Sequence, residues 1–236
     1  MTMPRTAVRP TIVVSFVLAV IIAPFIAWQG AQGGEQASVS ALAPLGIVVV
    51  GDSITARYND TPGDLRQGWW SIVGRRFGAH VTTYAQSGSG YLRSGHGPAG
   101  PCSGDRLIDR DAAFTGPPPS MLIIEAGRND WSFCRRGRYV EAPDIMIDRA
   151  VNRYLDVLQT FLPSSTRIIV MGPPWGPLDQ IDGLRITMII KDAATRHGLQ
   201  FIDTRGTLTT ARVLDGVHPN RAGSVAIADR VIRSID

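Results

Sequence analysis

The feature that most constrains this chain is an alternation: a short apolar run, a break, then a stretch with helical spacing. Ile47–Val50 is β-branched and stops at Gly51. Val81–Tyr84, Met121–Glu125, Ile168–Met171 and Phe201–Ile202 repeat the form, and Gly172 with two prolines closes the fourth. Short apolar runs bounded by turn residues are the pattern of strands buried on both faces. Between them lie helical patterns at Trp69–Phe77, Asp144–Phe161, Ile186–His197 and Ala222–Ile232. In the second of these, Ile145, Ile147, Ala150, Val151, Tyr154, Leu155 and Leu158 are spaced three to four apart, as for one helical face. Arg106–Phe114 reads as a further short helix, and Ser87 to Asp105 as a long Gly-rich loop. Strand followed by helix, repeated about five times, predicts a parallel sheet covered by helices on both sides. Ligands of such sheets bind beyond the carboxyl ends of the strands.

The N-terminus lies outside this pattern. Arg5 and Arg9 precede an uncharged apolar run from Thr11 to Trp28. Its length, about 27 Å as a helix, approaches the thickness of a bilayer core and exceeds the usual signal-peptide core. Positive charge before the run predicts an N-terminus inside and the remainder outside. The chain therefore divides into a signal-anchor or signal peptide (1–29), a Gly/Ala/Gln/Ser linker (30–44) and a domain (45–236). The expectation is an exported protein, membrane-anchored through this segment, or secreted if the segment is cleaved. Its two cysteines, Cys102 and Cys134, both fall in the exported part. An oxidising compartment permits a disulfide, and a Cys102–Cys134 bridge is the expectation, the alternatives being two free thiols or one catalytic thiol. The net charge of +4 comes from scattered arginines without a long basic run, which argues against nucleic acid as a partner. Arg135, Arg136 and Arg138 do cluster, either to attract an anionic substrate or to keep a loop soluble.

The strand ends carry the chemistry. The first runs into Gly51-Asp52-Ser53, the second into Ser87-Gly88-Ser89-Gly90, the third into Gly127-Arg128-Asn129-Asp130. Asp215-Gly216-Val217-His218 precedes the last helix. A serine hydroxyl is a weak nucleophile until a base takes its proton. His218 suits that task, with a reference pKa near 6.5. Asp215, three residues earlier, can accept from the imidazole Nδ1–H and fix its tautomer. A tetrahedral oxyanion needs donors, and the candidates are the N–H of Ser53, the N–H of Gly88 and the amide of Asn129. Each motif alone is an ordinary turn; four in this order, at strand ends, form a pattern. Asp52, beside the nucleophile, is poorly placed to reach the far side of His218 and is read as orienting the turn. His80, His96 and His197 show no partner spacing.

The four blocks GDSIT (Ser53), SGSG (Gly88), GRND (Asn129) and DGVHPN (Asp215, His218) resemble the SGNH hydrolases, also called GDSL esterases/lipases. The resemblance covers Leu45 to Asp236. It implies a three-layer α/β/α sandwich with a flavodoxin-like parallel sheet of about five strands. It also implies a Ser–His–Asp mechanism without metal or other cofactor. The family's spacing favours Gly88 over Gly90 as oxyanion donor. Arg57 stands where many members have Gly, and Thr83 where Asn is common. The implied function is a serine esterase that cleaves carboxylic esters, acyl lipid or O-acylated polysaccharide, through an acyl-enzyme. An O-acyltransferase with the same triad and a non-catalytic carbohydrate- or lipid-binding module are the alternatives. The loop Ser94–Asp105 and the segment Trp131–Pro143 are expected to shape the pocket, with Trp131 and Trp175 as lining residues.

Overall fold

A computed structural model describes residues 46–56, 65–177 and 180–236. The expected N-terminal segment, the linker and Arg57 lie outside these residues. Among the described residues no helix is long and apolar enough to cross a membrane.

Among the described residues seven strands form: β1 (Gly46–Gly51), β2 (His80–Ala85), β3 (Met121–Glu125), β4 (Ser132–Arg135), β5 (Arg138–Glu141), β6 (Arg167–Met171) and β7 (Gln200–Ile202). Five make one sheet in the order β2-β1-β3-β6-β7, every neighbour parallel. Alternation along the strands explains why both faces need cover. From β3, Leu122 and Ile124 pack with Val50 and Val170 against α3 (Asp144–Phe161) and α4 (Gln180–Arg196), meeting Val151, Leu155, Leu158, Ile186 and Ile190. Met121 and Ile123 point the other way, with Ile47, Val49 and Ile169. There they meet Trp69 and Val73 of α2 (Trp69–Phe77) and Ile227 and Val231 of α5 (Arg221–Ile235). The result is the expected α/β/α sandwich.

This topology positions the site. From β1 the chain goes to β2 on one side and then crosses to β3 on the other. That reversal leaves a crevice at the carboxyl end of β1. Ser53 lies there, opening the single helical turn α1 (Ser53–Ala56).

Three details depart from the sequence reading. The helix expected from Ile186 begins at Gln180. Arg106–Phe114 forms two 3-10 turns, Leu107–Asp109 and Asp111–Phe114, instead of one helix. Asp109 accepts from the backbone and guanidinium of Arg106, closing the first turn early. Third, the segment after Asp130, taken as loop, contains the antiparallel hairpin β4–β5.

Candidate active site

The turn after β1 is tightly built. A Cβ on Gly51 would press into the Thr55 side chain, so the residue has to be small. Asp52 is fully buried and its Oδ1 accepts the Ile54 N–H at 2.9 Å, capping α1. Its Oδ2 accepts from Asn129 Nδ2 at 3.2 Å. Burial pushes the Asp52 carboxyl up to about 6, against the Ile54 N–H and the nearby charges of Arg128, His218 and Arg110. Beneath it, buried Glu125 accepts from Thr55 Oγ1 at 2.7 Å. Burial and the Asp52 charge hold Glu125 well above the usual carboxylate range.

The histidine loop lies between Arg212 and α5. Val213 bridges to Pro219, and the Leu214 N–H donates to the His218 carbonyl at 3.2 Å. Asp215 Oδ2 lies 2.7 Å from His218 Nδ1, and its Oδ1 accepts the N–H groups of Val217 and His218. Partial burial pulls the Asp215 carboxyl upward. The bonds from the His218 ring and from those two N–H groups outweigh it and bring the carboxyl down to about 2. His218 Nε2 is enclosed and without a hydrogen-bond partner. Among the described residues no hydrogen bond joins it to Ser53 Oγ, which is itself unpartnered.

The donors separate by geometry. Among the described residues the N–H groups of Ser53 and Gly88 have no acceptor. Gly90 N–H is engaged with the Arg93 carbonyl at 2.9 Å. Gly88 has φ +77, and a Cβ there would lie 2.8 Å from His96 Nε2, so only glycine fits. His96, given no part by its sequence spacing, therefore packs against this glycine. Both N–H groups of Asn129 are engaged, with the Ser89 carbonyl at 2.9 Å and with Asp52. The structure thus joins Asp215 to His218 directly, Asn129 to the Ser53 turn through Asp52, and Asn129 to the Gly88 loop through Ser89.

Sequence reasoning missed two residues that hold this arrangement. Asp130, fully buried, accepts the backbone N–H groups of Tyr91, Leu92 and Arg93 and so anchors the loop that carries Gly88. Burial pushes its carboxyl up to about 6 against those three bonds. Arg110, also buried, donates to the Gly51 carbonyl at 2.6 Å, to the Tyr84 carbonyl at 3.0 Å and to Ser89 Oγ. One guanidinium therefore ties the ends of β1 and β2 to the residue after Gly88. Asp130 was legible only as the neighbour of Asn129. No spacing rule points to Arg110.

A disulfide joins Cys102 to Cys134, tying the loop after Ser94 to β4. Trp131, between Asn129 and β4, is 45% exposed. Trp175 is buried beneath the Arg128 guanidinium, 5.4 Å from ring centre to cation. It lines a cavity of about 510 Å³ with Leu184 and Leu208.

The family model for GDSL-like lipase/acylhydrolases matches residues 49–226. A GDSL lipase of Mycobacterium tuberculosis is 27% identical over 195 residues, 78% of this chain and 79% of its own. Solved structures share the fold. A carbohydrate acetylesterase family member from Sinorhizobium meliloti has TM-score 0.61 at 16% identity, over 81% of this chain and 97% of its own. A member of the lipolytic G-D-S-L family from Veillonella parvula has TM-score 0.58 at 20% identity, over 80% and 97%.

Proposed function

The chain belongs to the GDSL-like lipase/acylhydrolase family and is an ester hydrolase, and we propose that Ser53, His218 and Asp215 carry the reaction as a triad. The observation that supports this most is the state of His218. Its Nδ1 is engaged by Asp215, while its Nε2 is enclosed with no partner. That leaves Nε2 to take a proton from Ser53 once substrate fills the crevice.

In this mechanism Ser53 Oγ attacks the ester carbonyl and its proton passes to His218 Nε2. The oxyanion is held by the N–H groups of Ser53 and Gly88. Asn129 joins them by exchanging its longer bond, to Asp52, for the more strongly accepting oxyanion. Collapse of the intermediate expels the alcohol, which takes the proton from His218. Water, deprotonated by the same imidazole, then cleaves the acyl-enzyme and releases the acid. Asp215, held low in pKa, stays ionised and stabilises the imidazolium in both steps. Acyl lipids and O-acylated polysaccharides are the substrate classes of this reading, and the acetylesterase fold likeness favours the second. A location outside the membrane, through segment 1–29, fits the Cys102–Cys134 bridge.

The test is a fluorophosphonate probe on the full-length protein, read by intact mass. One adduct is expected on the wild type and none on Ser53→Ala, with circular dichroism unchanged and ester hydrolysis down by at least about 10⁴-fold. An adduct that persists in the variant would remove Ser53 from the role.

A further inference from the structure

We propose that the β4–β5 hairpin is a docking arm for carboxylate-bearing polysaccharide, so that the ester cleaved at Ser53 belongs to an acylated polyanion. The inference rests on the esterase reading for its chemistry, and on the hairpin alone for its charge.

The tip reads Arg135-Arg136-Gly137-Arg138, all exposed. Among the described residues none of these arginines has an ion pair or hydrogen-bonded side-chain partner. The tip breaks two local rules. Arg135 stands directly opposite Arg138 in the strand pairing, where like charges repel. Arg136 has φ +51, a left-handed position in a two-residue turn that asparagine or glycine fills with less strain. A turn selected only to reverse the chain has no need of either. Local stability is given up to gather three positive charges at one point, the signature of a functional element.

The arm is braced from outside. An isolated two-stranded hairpin is marginal in water. Here the Cys102–Cys134 disulfide ties β4 to the neighbouring loop. Tyr139 of β5 donates its hydroxyl to the Ser94 carbonyl at 3.3 Å and accepts the Cys102 N–H at 3.2 Å. The Arg93 guanidinium lies 3.7 Å from the Tyr139 ring centre. The arm is therefore held against the segment whose start carries Gly88 and whose His96 packs on that glycine.

It also points from the site. β4 begins two residues after Asp130, and exposed Trp131 lies between, its ring 5.5 Å from the Arg93 cation. Four strand residues rise about 13 Å from there to the tip. A flat aromatic face near Asn129 followed by unpaired guanidinium groups suits a sugar ring followed by carboxylates, which arginine grips with two parallel bonds. A lipid surface fits less well, because the tip has no apolar side chain to bury among headgroups.

The experiment compares full-length wild type with the triple variant Arg135→Gln, Arg136→Asn, Arg138→Gln, the asparagine chosen to suit the left-handed position. Substrates are a neutral aryl acetate, neutral acetylated xylan and acetylated polygalacturonate, between about 0.01 and 0.3 M salt. The variant should match wild type on both neutral esters. On polygalacturonate its KM should rise about tenfold, and the wild type's loss of affinity with salt should disappear. Equal effects on xylan and polygalacturonate, or none on either, would overturn the proposal. Should the wild type cleave no ester, the esterase reading fails separately. Binding of deacetylated polygalacturonate then decides: arginine-dependent binding supports the arm, and unchanged binding in the variant overturns it. Tighter arginine-dependent binding to phosphatidylglycerol vesicles than to the polymer would also overturn it.

Discussion

At the scale of single residues, the candidate site is held by buried side chains outside the proposed triad. Arg110 bonds to two strand-end carbonyls and to Ser89, so it sets the gap between the N–H groups of Ser53 and Gly88. Arg110→Gln should lower kcat by about 10²-fold and leave KM within about twofold, because what is lost is alignment in the transition state. Arg110→Lys should recover part of kcat. Steady-state kinetics on a small neutral ester checks this, and a loss confined to KM would instead place Arg110 in substrate binding. The candidates Ser53, Asp215, His218, Asn129 and Gly88 could be named from the sequence, because each stands in a short block whose spacing is set by local chemistry. Arg110 and Asp130 were not. Their partners are backbone carbonyls and N–H groups from segments far along the chain, and backbone atoms leave no mark in the residue pattern.

At the scale of elements, the loop before α5 shows how a helix start can hold a catalytic candidate. Asn220 Oδ1 accepts the Gly223 N–H at 3.0 Å and caps α5. Its amide donates to the Ala211 carbonyl at 2.9 Å, and its own N–H to the Arg212 carbonyl at 3.0 Å. Asn220→Ala should therefore cost about 1–2 kcal/mol in denaturant unfolding. It should also slow fluorophosphonate labelling, because the loop carrying His218 loses its tether. Stability lost with labelling unchanged would show that the cap serves the helix alone. The strands and long helices were legible from periodicity. The hairpin β4–β5 was not, since four-residue strands give little alternation and its turn carries Arg136-Gly137 in place of a common turn pair.

At the scale of the whole molecule, three carboxyl groups are buried together near the carboxyl ends of β1 and β3. Asp52 and Asp130 are pushed by burial from an ordinary 3.8 up to about 6, and burial with the Asp52 charge holds Glu125 well above the usual carboxylate range. Between about pH 4 and 6 the folded chain keeps protons that the unfolded chain has released, so protonation favours folding in that window. The thermal midpoint should rise as pH falls from about 7.5 to about 5; a lower midpoint at the acid end would mean that these groups stay ionised when folded. Asp215 acts in the opposite sense, but only at lower pH: its stabilising bonds are lost as pH falls below its ordinary 3.8 through about 2. The sequence by itself determined the layered parallel architecture, the four blocks at its rim and the pairing of Asp215 with His218. Each of these follows from local periodicity or from residues a few positions apart. The folded chain alone settles which glycine keeps a free N–H, that Asn129 is shared between Asp52 and Ser89, and that a buried arginine joins two strand ends to one loop. Those depend on where distant backbone atoms come to rest, which packing sets and residue identity alone does not.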